Sequence, residues 1–127
     1  MTATIYLAVN ALLYLVFAVW CVALPAQTSA FVGLQPVGGA GRSEFFAVYG
    51  GLEFGLAAVF ALAAWRPGLQ TAGLVVAACT YGGIVLFRSA AFLTQSAPGG
   101  NAWYIFPLEV TMAVLGVILV LPRLRML

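Results

Sequence analysis

This sequence predicts an all-α integral membrane protein built as a four-helix bundle, on three observations. Of its 127 residues 65% are hydrophobic and only 6% are charged, where soluble domains carry about 25% charged residues. Four apolar runs are each long enough to cross ~30 Å of hydrocarbon at a rise of ~1.5 Å per residue. Between them stand clusters of Pro, Gly and polar residues that break helices. The whole chain, 1–127, reads as a single transmembrane domain with spans at about 5–24, 44–65, 71–94 and 103–121.

The first span runs from Ile5 to Leu24 and stops at Pro25. No positive side chain precedes it and its apolar core is too long for a signal-peptide h-region, so it is expected to be retained. The second starts behind Ser43, read as its N-cap, and continues to Trp65, before Arg66-Pro67-Gly68. The third runs from Thr71 to Thr94, where the turn Ser96-Ala97-Pro98-Gly99-Gly100-Asn101 follows. The fourth runs from Trp103 to Leu121 and is expected to end at Pro122. The connection from Ala26 to Gly41 is long and carries Phe31, Val32, Leu34 and Val37 among Gly and Pro. That pattern fits a re-entrant or interfacial segment capping the bundle between helices 1 and 2. Gly38-Gly39-Ala40-Gly41 within it reads as a hinge in preference to an anion-binding nest.

Composition excludes several functions. There is no His and no CxxC pair, so zinc, haem and iron–sulfur ligand sets cannot be assembled, and no metal or cofactor is expected. The three glutamates leave a hard cation as a minority reading. Cys21 and Cys79 lie in apolar runs and read as free thiols. Five dispersed arginines make no basic face, so no nucleic acid partner is expected. Without His there is no Ser-His-Asp or Cys-His set, and no nucleotide fingerprint is present.

What remains is a handful of charges in hydrocarbon, each costing roughly 2.5–3.5 kcal/mol on insertion scales and seldom kept without a partner or a task. Glu53 lies nine residues past Glu44, Arg88 six before Thr94 and Glu109 six past Trp103. At ~1.5 Å per residue these three fall at similar depth from the same end of the bundle, about 13, 9 and 9 Å in. A polar cluster of Glu53, Arg88 and Glu109 is therefore expected, with Glu44 and Arg42 at its mouth. Phe46, Tyr49, Gly50 and Glu53 share a face at α-helical spacing. Gly51 and Gly55 form a neighbouring small-xxx-small pair, suited to close helix contact or a homodimer. Gly73, Gly82 and Gly83 make a similar stripe in the third span. Pro107 frees the Trp103 carbonyl near Glu109. Trp20, Trp65, Trp103 and Tyr104 stand near span ends, as an aromatic belt requires.

The run RSEFFAVYGGLEFGLA from Arg42, with NALLYLVFA from Asn10, resembles a bacterial family of small four-helix membrane proteins, domain of unknown function 4345. The family core R-x-E-x-x-A-x-Y-G-G-x-x-x-G corresponds to Arg42, Glu44, Ala47, Tyr49, Gly50, Gly51 and Gly55. The resemblance implies an arginine in the third helix, met by Arg88, and an acid in the fourth, met by Glu109. It implies no activity. Glu53 departs from it, since members often carry an amide or an apolar residue there. A looser likeness, of kind and not of motif, is to small integral-membrane terpene cyclases.

Three functions are in play. The first is acid-initiated cyclisation or isomerisation of an isoprenoid or terpenoid. Three glutamates face two nearby arginines, so one acid lacks a full partner, and such an acid in hydrocarbon holds its proton near neutral pH. The catalytic candidates are Glu53, Glu109, Arg88 and Glu44, with Phe46, Tyr49, Tyr81, Phe87 and Trp103 lining the substrate. The second is a non-catalytic lipid-binding or accessory membrane subunit in which the charges only hold helices together. The third is a small proton-coupled transporter. All three make a membrane lipid or isoprenoid-like molecule the partner and a bacterial cytoplasmic membrane the location.

Arg66, Arg123 and Arg125 fall on one side and Arg42 on the other, which places both termini in the cytoplasm under the positive-inside rule. A periplasm-dependent reporter fused after Leu127 should be silent, and one fused within the 96–101 turn should be active.

Overall fold

The computed structural model describes residues 2–95 and 101–125. Among them are five helices: α1 (Thr2–Ala23), α2 (Pro25–Phe31), α3 (Gly38–Trp65), α4 (Pro67–Thr94) and α5 (Ala102–Leu124). All but α2 are long and apolar enough to cross a membrane. The turn expected at 96–101 lies outside the described residues except for Asn101. Antiparallel succession gives the bundle two ends. Both chain termini and the tight 66–69 turn mark the terminal end, while α2 and the α4–α5 connection mark the loop end.

Helix α1 packs along α3, and α4 along α5; the two pairs then join through α4, which meets both α3 and α1. Packing is tightest in the terminal half, where Leu7, Phe60, Leu74 and Ala77 are fully buried. Two glycines make the approach close. A methyl group on Gly73 would run into Ala63 and lie 3.2 Å from Leu7, and one on Gly116 would meet the Tyr6 hydroxyl at 2.8 Å. That hydroxyl donates to the Met112 carbonyl at 2.8 Å, tying α1 to α5. Gln70 is the terminal clip: its Nε2 donates to Thr4 Oγ1 at 2.9 Å, and its Oε1 accepts from Arg123 at 3.1 Å. At the loop end Asn101 Nδ2 donates to the Phe31 carbonyl at 3.2 Å, tying the start of α5 to α2. Outside this core large aliphatic side chains such as Leu12, Val16 and Ile118 face outward, as they must to meet lipid. Trp65, Trp103 and Tyr104 are exposed near the helix ends.

Four expectations are corrected. Helix α3 starts at Gly38 with Val37 as its N-cap, so Ser43 lies inside it and Gly38–Gly41 is helix and not hinge. Gly38 opens it at φ +63°, a conformation glycine takes without penalty. Pro122 does not end α5, which runs on to Leu124, because a missing N–H so near the C-terminus removes a single bond. The capping segment expected after Pro25 begins with a short helix whose Thr28 and Ser29 are buried, and both hydroxyls donate to carbonyls of its own first turn or just before it. Finally, Gly51, Gly55, Gly82 and Gly83 meet no neighbour within 4 Å, and close contact falls instead to Gly50, Gly73 and Gly116. Cys21 is buried, Cys79 is exposed, and both are free thiols.

Gly73→Ala should therefore lower stability by about 1–3 kcal/mol through overpacking, while Gly51→Ala and Gly55→Ala leave it unchanged. Thermal unfolding of the purified protein in one detergent ranks the three.

Candidate functional site

The loop half of the bundle holds the polar residues and is built on a change of helix type. Residues Phe46–Leu52 of α3 form a π-helix, with α-helix resuming at Glu53. Hydrogen bonds there run i→i+5, so the face shifts by one residue from the α-helical expectation. Phe45 and Gly50, five apart, are buried, and Phe46 is turned outward at 50% exposure. The assignment of Phe46 to the face of Glu53 is corrected for this reason. Phe45 stacks on Tyr49 with ring centroids 4.8 Å apart, and Gly50 leaves space against Val22 of α1.

Arg88 and Glu109 meet as expected. Arg88 Nε donates to Glu109 Oε2 at 2.6 Å and Nη2 to Oε1 at 2.8 Å, a two-point fork between α4 and α5. Glu109 is buried, whereas the Arg88 side chain keeps 31% of its exposure. Both carboxylate oxygens are thus engaged with a cation.

Glu53 is not in that pair. Among the described residues it forms no ion pair and no side-chain hydrogen bond, so the expected bridge of Arg88 between two acids is only half made. The reason lies in the bundle's layout: α5 packs along α4 and α3 along α1, and a guanidinium already forked to Glu109 does not reach back to α3. Tyrosines fill the interval. Tyr14, Tyr49 and Tyr81 all lie within electrostatic reach of Glu53; Tyr81 also senses Glu109, and Tyr49 also senses Arg88. Tyr14 and Tyr81 are buried with centroids 5.9 Å apart, and Tyr14 rests on Phe60 at 5.4 Å. Glu53 therefore has three phenols within electrostatic reach and no counter-ion among the described residues.

The other candidates divide. Glu44 and Arg42 are exposed on the first turns of α3, unpaired among the described residues. Phe87 and Trp103 face outward, and Phe87 edges a hollow of about 400 Å³ that Arg88 lines with Ile84, Phe92 and Gln95. Phe92 holds Trp103 at 5.1 Å and Phe106 at 5.2 Å. No three carboxylates or thiols converge among the described residues, so the three glutamates do not build a cation site. Sequence reasoning assigned no role to Tyr14, Phe92 or Asn10. Asn10 is fully buried, donates to the Tyr6 carbonyl at 2.8 Å, and leaves its Oδ1 unpartnered among the described residues. The signal was there in Tyr6, Asn10 and Tyr14, three polar side chains four apart on an otherwise apolar helix.

A family model described as a domain of unknown function (DUF4345) matches residues 2–120, and the chain belongs to that family. No curated protein and no solved structure matches it, so the likeness to terpene cyclases gains nothing from these comparisons.

The fork predicts a specific pattern of stability. Arg88→Met or Glu109→Met alone should cost about 3–5 kcal/mol by leaving one charge buried and unpaired, whereas the double substitution should recover most of the loss. Unfolding of the three variants in detergent micelles provides the cycle.

Proposed function

We propose that this protein carries out acid-initiated isomerisation or cyclisation of an isoprenoid-like lipid, with Glu53 as the proton donor. One observation carries the reading: Glu53 is a carboxyl group in a candidate membrane span with no counter-ion among the described residues and three tyrosines within electrostatic reach. The neutral acid is the form a bilayer accepts at least cost, and a neutral acid can donate. Glu109 is the poorer donor because both its oxygens accept from Arg88.

The chemistry closes with what the chain possesses. The Glu53 carboxyl gives its proton to an alkene carbon, which leaves a carboxylate and a carbocation. The π-faces of Tyr14, Tyr49 and Tyr81 stabilise that cation while it rearranges or closes a ring. A proton lost from an adjacent carbon returns to the carboxylate, so no cofactor is consumed. Arg88 serves to fix α4 against α5 and to hold a polar group of the substrate with the guanidinium nitrogen that Glu109 does not engage.

A second reading has its own observation. Two hollows among the described residues are lined by Arg88 and by Arg42, and neither of them is lined by Glu53. A lipid-binding accessory subunit needs no more than these. The carrier reading fits least well, since Leu7, Phe60 and Leu74 fill the terminal half of the monomer.

Glu53→Gln keeps shape and hydrogen-bonding reach but removes the acidic proton. It should insert and melt as the parent does, yet lose turnover of an isoprenoid alkene by about 10²–10⁴-fold in a membrane assay with product analysis. Glu109→Gln should lose activity only in step with its loss of stability. A fully active Glu53→Gln variant would leave the accessory-subunit reading in possession.

A further inference from the structure

We propose a second site, separate from Glu53 and independent of the reading above: the hollow enclosed by α2, residues 32–37 and the first turns of α3 binds one anionic phospholipid, with its phosphate on Arg42. The hollow measures about 500 Å³, within the range of small-molecule sites. Its walls change character from inside to outside. Phe45, 4% exposed, belongs to the protein core, and Pro25, Leu34, Pro36 and Phe46 complete an apolar wall. Arg42 and Gln35, both exposed, supply polar groups to the same wall. An apolar pocket edged by a single cation has the polarity of an amphiphile with an anionic head.

The guanidinium is available for such a head. Among the described residues Arg42 has no ion pair. Glu44 stands two positions on, and residues two apart on a helix do not face each other. Arg88, the other arginine of the loop half, already has its carboxylate.

Depth in the bilayer selects the ligand. The hollow lies at the loop end, where Trp20 donates from its indole to Gln27 of α2 at 3.1 Å and packs on Phe31 at 5.2 Å. Trp103 and Tyr104 open α5 at that same end and are exposed. Aromatic side chains of this kind stand at headgroup level. An arginine beside an apolar pocket at that level meets lipid phosphates, and a guanidinium pairs with a phosphate through charge-assisted hydrogen bonds. The built roof of the hollow also sets it apart from a greasy surface: α2 is held by buried Thr28 and Ser29 and by Asn101 from α5.

The test uses the full chain purified in neutral detergent, with phosphatidylglycerol, phosphatidylcholine and inorganic phosphate as probes, read by native mass spectrometry. One phosphatidylglycerol should be retained per chain in preference to phosphatidylcholine, and millimolar inorganic phosphate should not displace it. Arg42→Gln should weaken retention by about ten-fold, the scale of a charge-assisted contact, with the melting temperature unmoved because Arg42 is exposed and unpaired. Leu34→Trp, which fills the hollow and keeps the charge, should weaken it as well, while Glu44→Gln should not. Equal retention of the two lipids, undiminished retention by Arg42→Gln, or full displacement by inorganic phosphate would each overturn the proposal.

Discussion

Inside a bilayer every polar group has to find its partner within the chain, and the rest of this structure follows from that constraint. Backbone groups comply by forming helices throughout the spans. Hydroxyls comply by folding back on their own helix: Thr94 donates to the Ala90 carbonyl and Thr111 to the Pro107 carbonyl, each at 2.8 Å. Arg88, on α4, complies by a two-point fork with Glu109. Against that background two groups stand out among the described residues, the Glu53 carboxyl and Asn10 Oδ1. A soluble protein would leave such groups to water. Here a missing partner is information, and for Glu53 it is the ground of the proposed chemistry.

Much of this was legible in the sequence, for reasons that differ by residue. The four spans follow from length and hydropathy alone, because nothing else stabilises an apolar run of this length. The meeting of Arg88 and Glu109 follows from matched depth on consecutive antiparallel helices, where rise per residue suffices. Glu53 did not join them because matched depth leaves out the angle around the bundle axis. Whether α3 or α5 flanks a given face of α4 is decided by packing at Gly73 and Gly116, far from the charges. The role of Tyr14 was hidden for the same reason. Only one face of its helix is buried, and in the sequence only the Tyr6-Asn10-Tyr14 spacing marked that face.

The π-helix explains the remaining discrepancy and bears on function. Periodicity arguments assume one helix type, so a stretch of i→i+5 bonds shifts every face beyond it. Here that stretch covers Phe46–Leu52, ends on the residue before Glu53, and contains both Gly50 and Gly51. Its effect is local: Phe45 takes the inward position, Phe46 turns to the α2 hollow, and Tyr49 is brought under Phe45 and within reach of Glu53. Without it, the family motif R-x-E-x-x-A-x-Y-G-G would present a different aromatic ring to the acid. Gly50 and Gly51 add no side chain to crowd this wider turn.

The two halves of the bundle consequently do different work. Beyond Tyr81 α4 has no buried residue, and α5 has none before Glu109. Stability therefore rests on the terminal half, where α1, α3 and α4 interlock around Leu7, Phe60 and Leu74. The loop half is held by a few directed contacts instead: the Arg88–Glu109 fork, the Asn101 bond to Phe31 and the stacked rings of Phe45 and Tyr49. Contacts of that kind fix orientation without filling space, which is what a membrane protein needs where a lipophilic molecule is to enter from the side. The two hollows described above and the unpartnered acid lie in this half, so the proposed proton donation and lipid binding are both assigned to the region with the fewer buried residues.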